Sequence, residues 1–194
     1  MHKRPQIISL SPKKLADIWD DIRRVADALG LAEEGKNYLR TLKTRVVAII
    51  ERTCVLKNRP TVACVEWIEP LMAAGNWVPE LVELAGGANM AGETGKHSPW
   101  MNWKTLKQLD PEIIVIMPCG FDLKRTRAEM GPLMNRRDWT KLRAVKNKRV
   151  FLTDGNHFFN RPGPRIVESL EILAEIIHPD RFNYGHKGRG WEKL

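Results

Sequence analysis

Glu112–Met117 reads EIIVIM, a run that is apolar after its first residue and dominated by β-branched side chains. Asp110-Pro111 bounds it in front and Pro118-Cys119-Gly120 behind. A strand with one wet face alternates polar with apolar. A run that does not alternate is covered on both faces, as the interior strands of a parallel sheet are. Two similar stretches flank it, Thr61–Glu66 (TVACVE) and Arg149–Thr153 (RVFLT). Helical periodicity fills the intervals at Val78–Ala85, about Asn102–Leu109, Phe121–Met130 and Asp138–Val145. A last helix runs over Arg165–Ile177, and Trp67–Trp77 reads as a loop. Strands separated by helices predict an α/β fold with a parallel sheet and right-handed crossovers.

The chain ahead of this pattern is helical. Residues 4–10 (RPQIISL) read as an extended entry, and Ser11-Pro12 supplies an N-cap followed by a proline suited to a first helical turn. Leu15, Ile18, Trp19, Ile22, Val25, Ala26 and Leu29 then recur on one helical face, and Gly30 ends the run. A second run spans Ala32–Thr53 with Leu39, Leu42, Val46, Ile49 and Ile50 inward. Such a helix is roughly 30 Å long and reads as a spine leading into the α/β part. Asn183–Leu194 is rich in Gly and Lys and reads as a loose tail. There is no internal repeat.

In a parallel sheet the loops after the strands emerge at one edge, where open α/β sheets take ligands. Here they are Glu66-Trp67, Pro118–Asp122 and Asp154–Arg161, with Trp100 and Trp103 between them in sequence. The third loop, in FLTDGNHFFNRPGPR (151–165), offers an acid, Asp154, and two adjacent aromatics, Phe158 and Phe159. Arg161 is stiffened by Pro162 and Pro164. That chemistry describes a mouth of aromatic faces with a few polar anchors. The alternative is a Pro/Gly-rich turn whose aromatics cover a core edge. A thiol enzyme is a further alternative, with Cys119 as nucleophile, His157 as base and Asp154 as orienter, although no nucleophile-elbow glycines accompany it.

The 194 residues carry a formal charge of +9, but the basic groups are dispersed. The densest are Lys3-Arg4, Arg136-Arg137 and Lys146–Arg149, with no interleaved stacking aromatics, so no nucleic-acid partner is expected. The three cysteines lack metal-ligand spacing, and His97, His157 and His178 are isolated, so no metal site is expected. Gly86-Gly87 and Gly92–Gly95 fit neither a dinucleotide nor a P-loop pattern. The amino terminus shows no apolar signal region, and no run has the length of a membrane span, which reads as a soluble chain without an export signal.

Three stretches in order, VEWIEPLMAAGNWVPELVELAGG (65–87), PEIIVIMPCGFDLKRT (111–126) and DGNHFFNRPGPRIVESLEILAEIIHP (154–179), resemble the carboxyl-terminal lobe of cobalamin-binding proteins. These belong to the Fe/cobalamin periplasmic-binding superfamily, the substrate-binding components of ABC importers. SLSPKKLADIWDDIRRVADALG (9–30) resembles the start of that family's interlobe connection. The resemblance implies a three-layer α/β lobe over 59–182, preceded by an end-of-lobe and connecting helical segment over 1–58 and followed by the tail at 183–194. The first lobe of the pair would be missing. It implies a non-enzymatic binding component without a cofactor of its own, taking cobalamin or another corrinoid, with haem or a ferric siderophore as the alternative. Asp154 and Arg161 would be polar contacts, and Phe158, Phe159, Trp67 and Trp100 apolar walls. An ABC permease would be the partner, yet Lys104 stands where the family often carries an acid that pairs with permease arginines. Like charges there would oppose docking. The family is periplasmic or extracytoplasmic; the cytoplasm is the alternative for a chain read without a signal.

Overall fold

The computed structural model describes residues 7–194. The expected entry strand lies partly outside the described residues, at 4–6, and residues 7–10 adopt no regular structure.

The three strands expected to be interior are so. β1 (Thr61–Trp67), β4 (Ile113–Ile116) and β5 (Val150–Thr153) run parallel, Val62–Val65 facing Ile113–Ile116 and Ile114–Ile116 facing Val150–Leu152. The sheet as a whole is mixed and six-stranded, not purely parallel. β2 (Met72–Ala73) pairs antiparallel with the end of β1, and β3 (Ala88–Asn89) pairs parallel with its start. β6 (Trp191–Lys193) pairs antiparallel with β5 and closes the far edge.

Strand alternation divides the core. Val62, Cys64, Ile113, Val115 and Phe151 face one side, where α3 (Val78–Leu84) and α8 (Ile166–Ile177) pack, with α1 (Leu15–Ala28) and α2 (Ala32–Thr53) behind them. Ala63, Val65, Ile114, Ile116, Val150 and Leu152 face the other. There the cover is α4 (Trp103–Leu109), α5 (Leu123–Ala128), α6 (Gly131–Met134), a 3-10 turn at Trp139–Lys141 and α7 (Arg143–Lys146). The single helix expected over Asp138–Val145 is thus a turn and a helix broken at Leu142, whose extended backbone interrupts them.

Two amino-terminal expectations change. α1 starts at Leu15, not at Ser11-Pro12, because Asp17 caps it: one carboxylate oxygen accepts from the N–H groups of Lys13 (2.9 Å) and Lys14 (3.1 Å). Only the first half of its apolar face is covered. Leu15 and Ile18 are buried, while Val25 and Leu29 are exposed because α1 and α2 run past the α/β body as a hairpin. α2, read as a spine, is also part of the core: Leu42, Val46 and Ile49 are buried against α8 and α3.

The tail is the larger correction. Within residues 183–194, Trp191–Lys193 form β6, and His186 and Trp191 are buried. The reason lies in α8, which buries two carboxylates, Glu171 and Glu175. Arg45 of α2 forks Glu171 with Nε (2.9 Å) and Nη2 (2.8 Å), and His186 Nε2 lies 2.9 Å from the same carboxylate. Glu175 accepts from the Trp191 indole N–H and the backbone N–H groups of Tyr184 and His186. A buried carboxylate is costly unless its lone pairs are taken up, and the tail supplies most of the donors. Burial alone would push the Glu171 carboxyl up; the hydrogen bonds from His186 and Arg45 outweigh it and hold it below the ordinary glutamate range.

Candidate functional site

The carboxyl ends of β1, β4 and β5 open on the same edge, and the loops that leave them are knitted together. The Cys119 N–H donates to the Glu66 carbonyl (3.3 Å), and the Asn156 N–H to the Phe121 carbonyl (3.2 Å). Trp67, half-buried at the end of β1, lies 5.3 Å from the Phe121 ring at an interplanar angle of 56°. The Arg125 guanidinium stacks on Phe121 at 3.9 Å. Arg125 sits one helical turn after Phe121, held by the Asp122 cap of α5 (2.8 Å to the Arg125 N–H). Trp100 is 69% exposed, although its backbone bridges to Met72, which itself pairs with Trp67. Trp100, Trp67 and Arg125 therefore form an aromatic and cationic band at the mouth, Trp67 and Arg125 packed on a Phe121 ring that is itself buried and Trp100 joined through the backbone of Met72.

The third loop is a π-helical turn, Gly155–Phe159, and it rearranges the expected roles. Phe158 and Phe159 are 3% and 1% exposed and belong to the core, so the expectation that they wall a ligand is corrected. The wide turn sends both rings inward: Phe158 packs edge-on against His186, and the Phe159 carbonyl accepts from the buried Trp77 indole at 2.9 Å. Asp154 is buried and engaged within the turn. One oxygen accepts the His157 N–H (2.8 Å), and the other lies 2.7 Å from His157 Nδ1. Its reading as a direct polar contact is therefore corrected to that of a group that holds His157. Arg161 is exposed, and its guanidinium is steered by Asn156, donating from Nε to the carbonyl (2.9 Å) and from Nη2 to Oδ1 (2.8 Å). The prolines follow Arg161, but Asn156 aims it.

Glu66 completes the rim. It accepts from the Ser98 hydroxyl (2.7 Å), which accepts from the Gly75 N–H (3.1 Å), so the 92–99 loop is tied to the end of β1. Gly92 is required in that loop: φ is +79°, and a Cβ there would meet the Ala74 carbonyl oxygen at 1.9 Å. Cys119 is exposed, and its thiol is raised above the ordinary value by partial burial first and by Glu66 second, with Arg161 pulling the other way. Among the described residues no hydrogen bond joins it to His157, whose Nδ1 is engaged by Asp154. The expected nucleophile and base are not assembled. Lys104 is exposed in the first turn of α4, next to Lys107, which pairs with Asp138 at 2.9 Å. All three cysteines are free, and no group of His, Cys, Asp or Glu suited to a bare metal ion occurs among the described residues. No described helix is long and apolar enough to cross a membrane.

Sequence reasoning reached Trp67, Trp100 and Arg161 from their loops. It placed Phe121 in the second strand-end loop but did not single out Arg125, although an aromatic directly after the β4 turn with an arginine four residues on is a readable signal.

Residues 3–156 match the family described as periplasmic binding protein. A curated relative, an uncharacterized ABC transporter substrate-binding lipoprotein of Bacillus subtilis called YvrC, is 23% identical over 177 residues, 88% of this chain and 52% of its own length. The chain therefore spans about half of that relative. The fold is also that of an ABC transporter substrate-binding protein from Listeria monocytogenes EGD-e, with a TM-score of 0.78 at 20% identity, covering 89% of this chain and 67% of that one. It is likewise that of Staphylococcus aureus IsdE, solved "complexed with heme", with a TM-score of 0.75 at 18% identity, covering 86% and 66%.

Proposed function

The chain belongs to the periplasmic binding protein family, and from that premise we propose that it is the substrate-binding component of an ABC importer whose mouth takes a corrinoid such as cobalamin. The observation that carries the reading is the band of Trp100, Trp67 and Arg125, the last two packed on the buried Phe121, beside an Arg161 aimed by Asn156. A broad, rigid, largely apolar ligand with polar groups on its rim matches such a band: flat aromatic faces bury area at low entropy cost, and the guanidiniums orient the ligand by its amides. The mouth is an open face, so the described lobe, 59–182, would form one side of a cleft. The family's cleft lies between lobes, and the YvrC relative is about twice as long as the matched region. Work outside the cytoplasm and docking on a permease follow from the same reading. Lys104, beside a Lys107 already paired with Asp138, would present that permease with a positive charge, which calls for an acidic residue opposite.

Haem is the second reading. Two guanidiniums at the mouth, Arg125 and Arg161, suit carboxylate rims as well as amides, and one structural relative was solved with heme.

Calorimetric titration with cyanocobalamin tests the proposal. Saturable one-to-one binding, weakened about tenfold or more by Trp67→Ala or Arg161→Ala, is the expected result, since each loses one anchor worth about 1.4 kcal/mol. Absence of heat with cobalamin alongside saturable binding of ferric haem would transfer the site to the second reading. Absence of binding to both would end the reading.

A further inference from the structure

We propose that a recess at the edge of the sheet opposite the mouth is a second binding site, for a small polyanion carrying two or more phosphate or carboxylate groups. It shares no residue with the mouth, so the two readings stand or fall separately.

The recess lies where the end of α8, the start of β5 and β6 meet. Pro60 and Arg149, which line it, immediately precede β1 and β5, so it opens at the amino ends of the parallel strands. Its volume is about 540 Å³, within the range of small-molecule sites. The tail supplies Lys187, Trp191 and Lys193 to the lining. Lys193 stands opposite Phe151 in the β5–β6 pairing, and the Trp191 indole is fixed on Glu175. The recess therefore exists because the tail is docked.

Its charge is one-sided. Arg149, Arg181, Lys187 and Lys193 line it, and among the described residues no carboxylate lies within salt-bridge distance of any of them. Two acids share the lining. Glu175 is spent on Trp191, Tyr184 and His186, which leaves Asp180 facing four cations. Arg149 is half-buried, and its Nη2 donates to the carbonyls of Ile177 (3.0 Å) and Ile176 (3.4 Å). That contact masks the negative end of α8, which would otherwise repel an anion. Arg149 Nε and Nη1 have no hydrogen-bond partner among the described residues.

His178, also in the lining, registers the local field. Burial lowers its imidazole below the ordinary histidine value, its hydrogen bond to the Gly86 carbonyl raises it, and the charges of Arg149, Arg181 and Arg59 lower it further. Like charges gathered round a recess repel one another, and an anion seated between them relieves that repulsion. A lone phosphate fills only a fraction of the volume. A ligand with two or more anionic groups spans the recess and reaches cations from both α8 and the tail.

Calorimetric titration with pyrophosphate, citrate and orthophosphate, in about 0.1 M NaCl to screen loose surface attraction, tests the site. The chain is compared with the double variant Lys187→Glu/Lys193→Glu and with Lys124→Glu, an exposed charge reversal in α5, with circular dichroism confirming each fold. Pyrophosphate or citrate should bind one-to-one with Kd below about 1 mM. The tighter of the two tells a phosphate-bearing from a carboxylate-bearing ligand. Orthophosphate should bind about tenfold more weakly than that ligand, and the double variant should lose about tenfold or more, while Lys124→Glu stays within about twofold. At saturation the ligand should slow hydrogen exchange of the Trp191–Lys193 amides about tenfold or more, because the site needs the docked tail. Three results would each overturn the proposal. They are no saturable binding of pyrophosphate or citrate, equal weakening by Lys124→Glu and the double variant, and orthophosphate binding as tightly as the other two.

Discussion

Replacing Trp191 with alanine should cost a large part of the stability of the chain. The indole is 8% exposed, lies edge-on 5.6 Å from Phe151, and donates its N–H to the buried Glu175. Truncating a buried tryptophan costs about 3–5 kcal/mol in transfer and cavity terms. The lost N–H adds about 1 kcal/mol, toward the low end for a stranded buried acceptor because Tyr184 and His186 still donate to Glu175. A loss of about 4–6 kcal/mol would consume about a quarter or more of the ~5–15 kcal/mol of a typical domain. With a urea slope near 2 kcal/mol/M the midpoint falls by about 2–3 M. Trp191→Phe keeps most of the area and loses the donor, so it should sit about 1–3 kcal/mol below wild type. Far-UV circular dichroism is the appropriate readout, because the substitution itself alters tryptophan emission. A loss under about 0.5 kcal/mol for Trp191→Ala, the range of a solvated surface site, would refute the reasoning and return residues 183–194 to the status of a loose tail.

Three further outcomes are expected. The Glu171 carboxyl is held below its ordinary range in the folded chain, so its contribution to stability is present above about pH 4.3 and is lost as pH falls through the lower folded value. Urea midpoints followed from pH 7 to pH 3 should show an acid limb that flattens in Glu171→Gln; an unchanged limb would show that other carboxylates carry it. Gly92→Ala should destabilise by more than the ~1 kcal/mol of an ordinary glycine replacement, since a Cβ would overlap the Ala74 carbonyl at positive φ, and thermal melting reads this directly. The Cys119 thiol is raised by burial and by Glu66, so iodoacetamide should modify it more slowly at pH 8 than it modifies glutathione, with Glu66→Gln faster than wild type in a mass-spectrometric time course.

The interior of the fold was legible because hydropathy reports it. EIIVIM lacks alternation and became β4, buried on both faces, and TVACVE and RVFLT became its two neighbours. β2, β3 and β6 were illegible for the opposite reason: two or three residues long, they exist because a partner strand is there to be paired. Tail polarity misled in particular. Lys187, Arg189 and Lys193 are exposed as their charge suggests, but His186 and Trp191 between them answer two carboxylates buried in a helix whose sequence, IVESLEILAEII, shows no sign of which glutamates face inward. At the mouth, Trp67 and Trp100 were read from their loops. Phe158 and Phe159 were misplaced because adjacent aromatics point apart in a strand but can both turn inward in a π-helical turn. The pairing of Asp154 with His157, read from the sequence only within the thiol-enzyme alternative, is built by that same turn, while Cys119 stays outside it.

The fork of Arg45 on Glu171, with His186 on the far side, also bears on how this sequence can drift over generations. Arg45 and Glu171 are 126 positions apart, and the third member comes from the last segment of the chain. Loss of the arginine or the histidine alone leaves a charge in the body with fewer partners, whereas joint replacement by apolar residues of similar volume can be neutral or better. Lineages should therefore keep all three residues or exchange them as a set, and positions 45, 171 and 186 should covary more strongly than residues that merely neighbour each other in sequence. An ancestor that had crossed to the apolar set would have to restore Arg45, whose side chain is 43% exposed, before Glu171, since the glutamate restored first would be an unpaired buried charge.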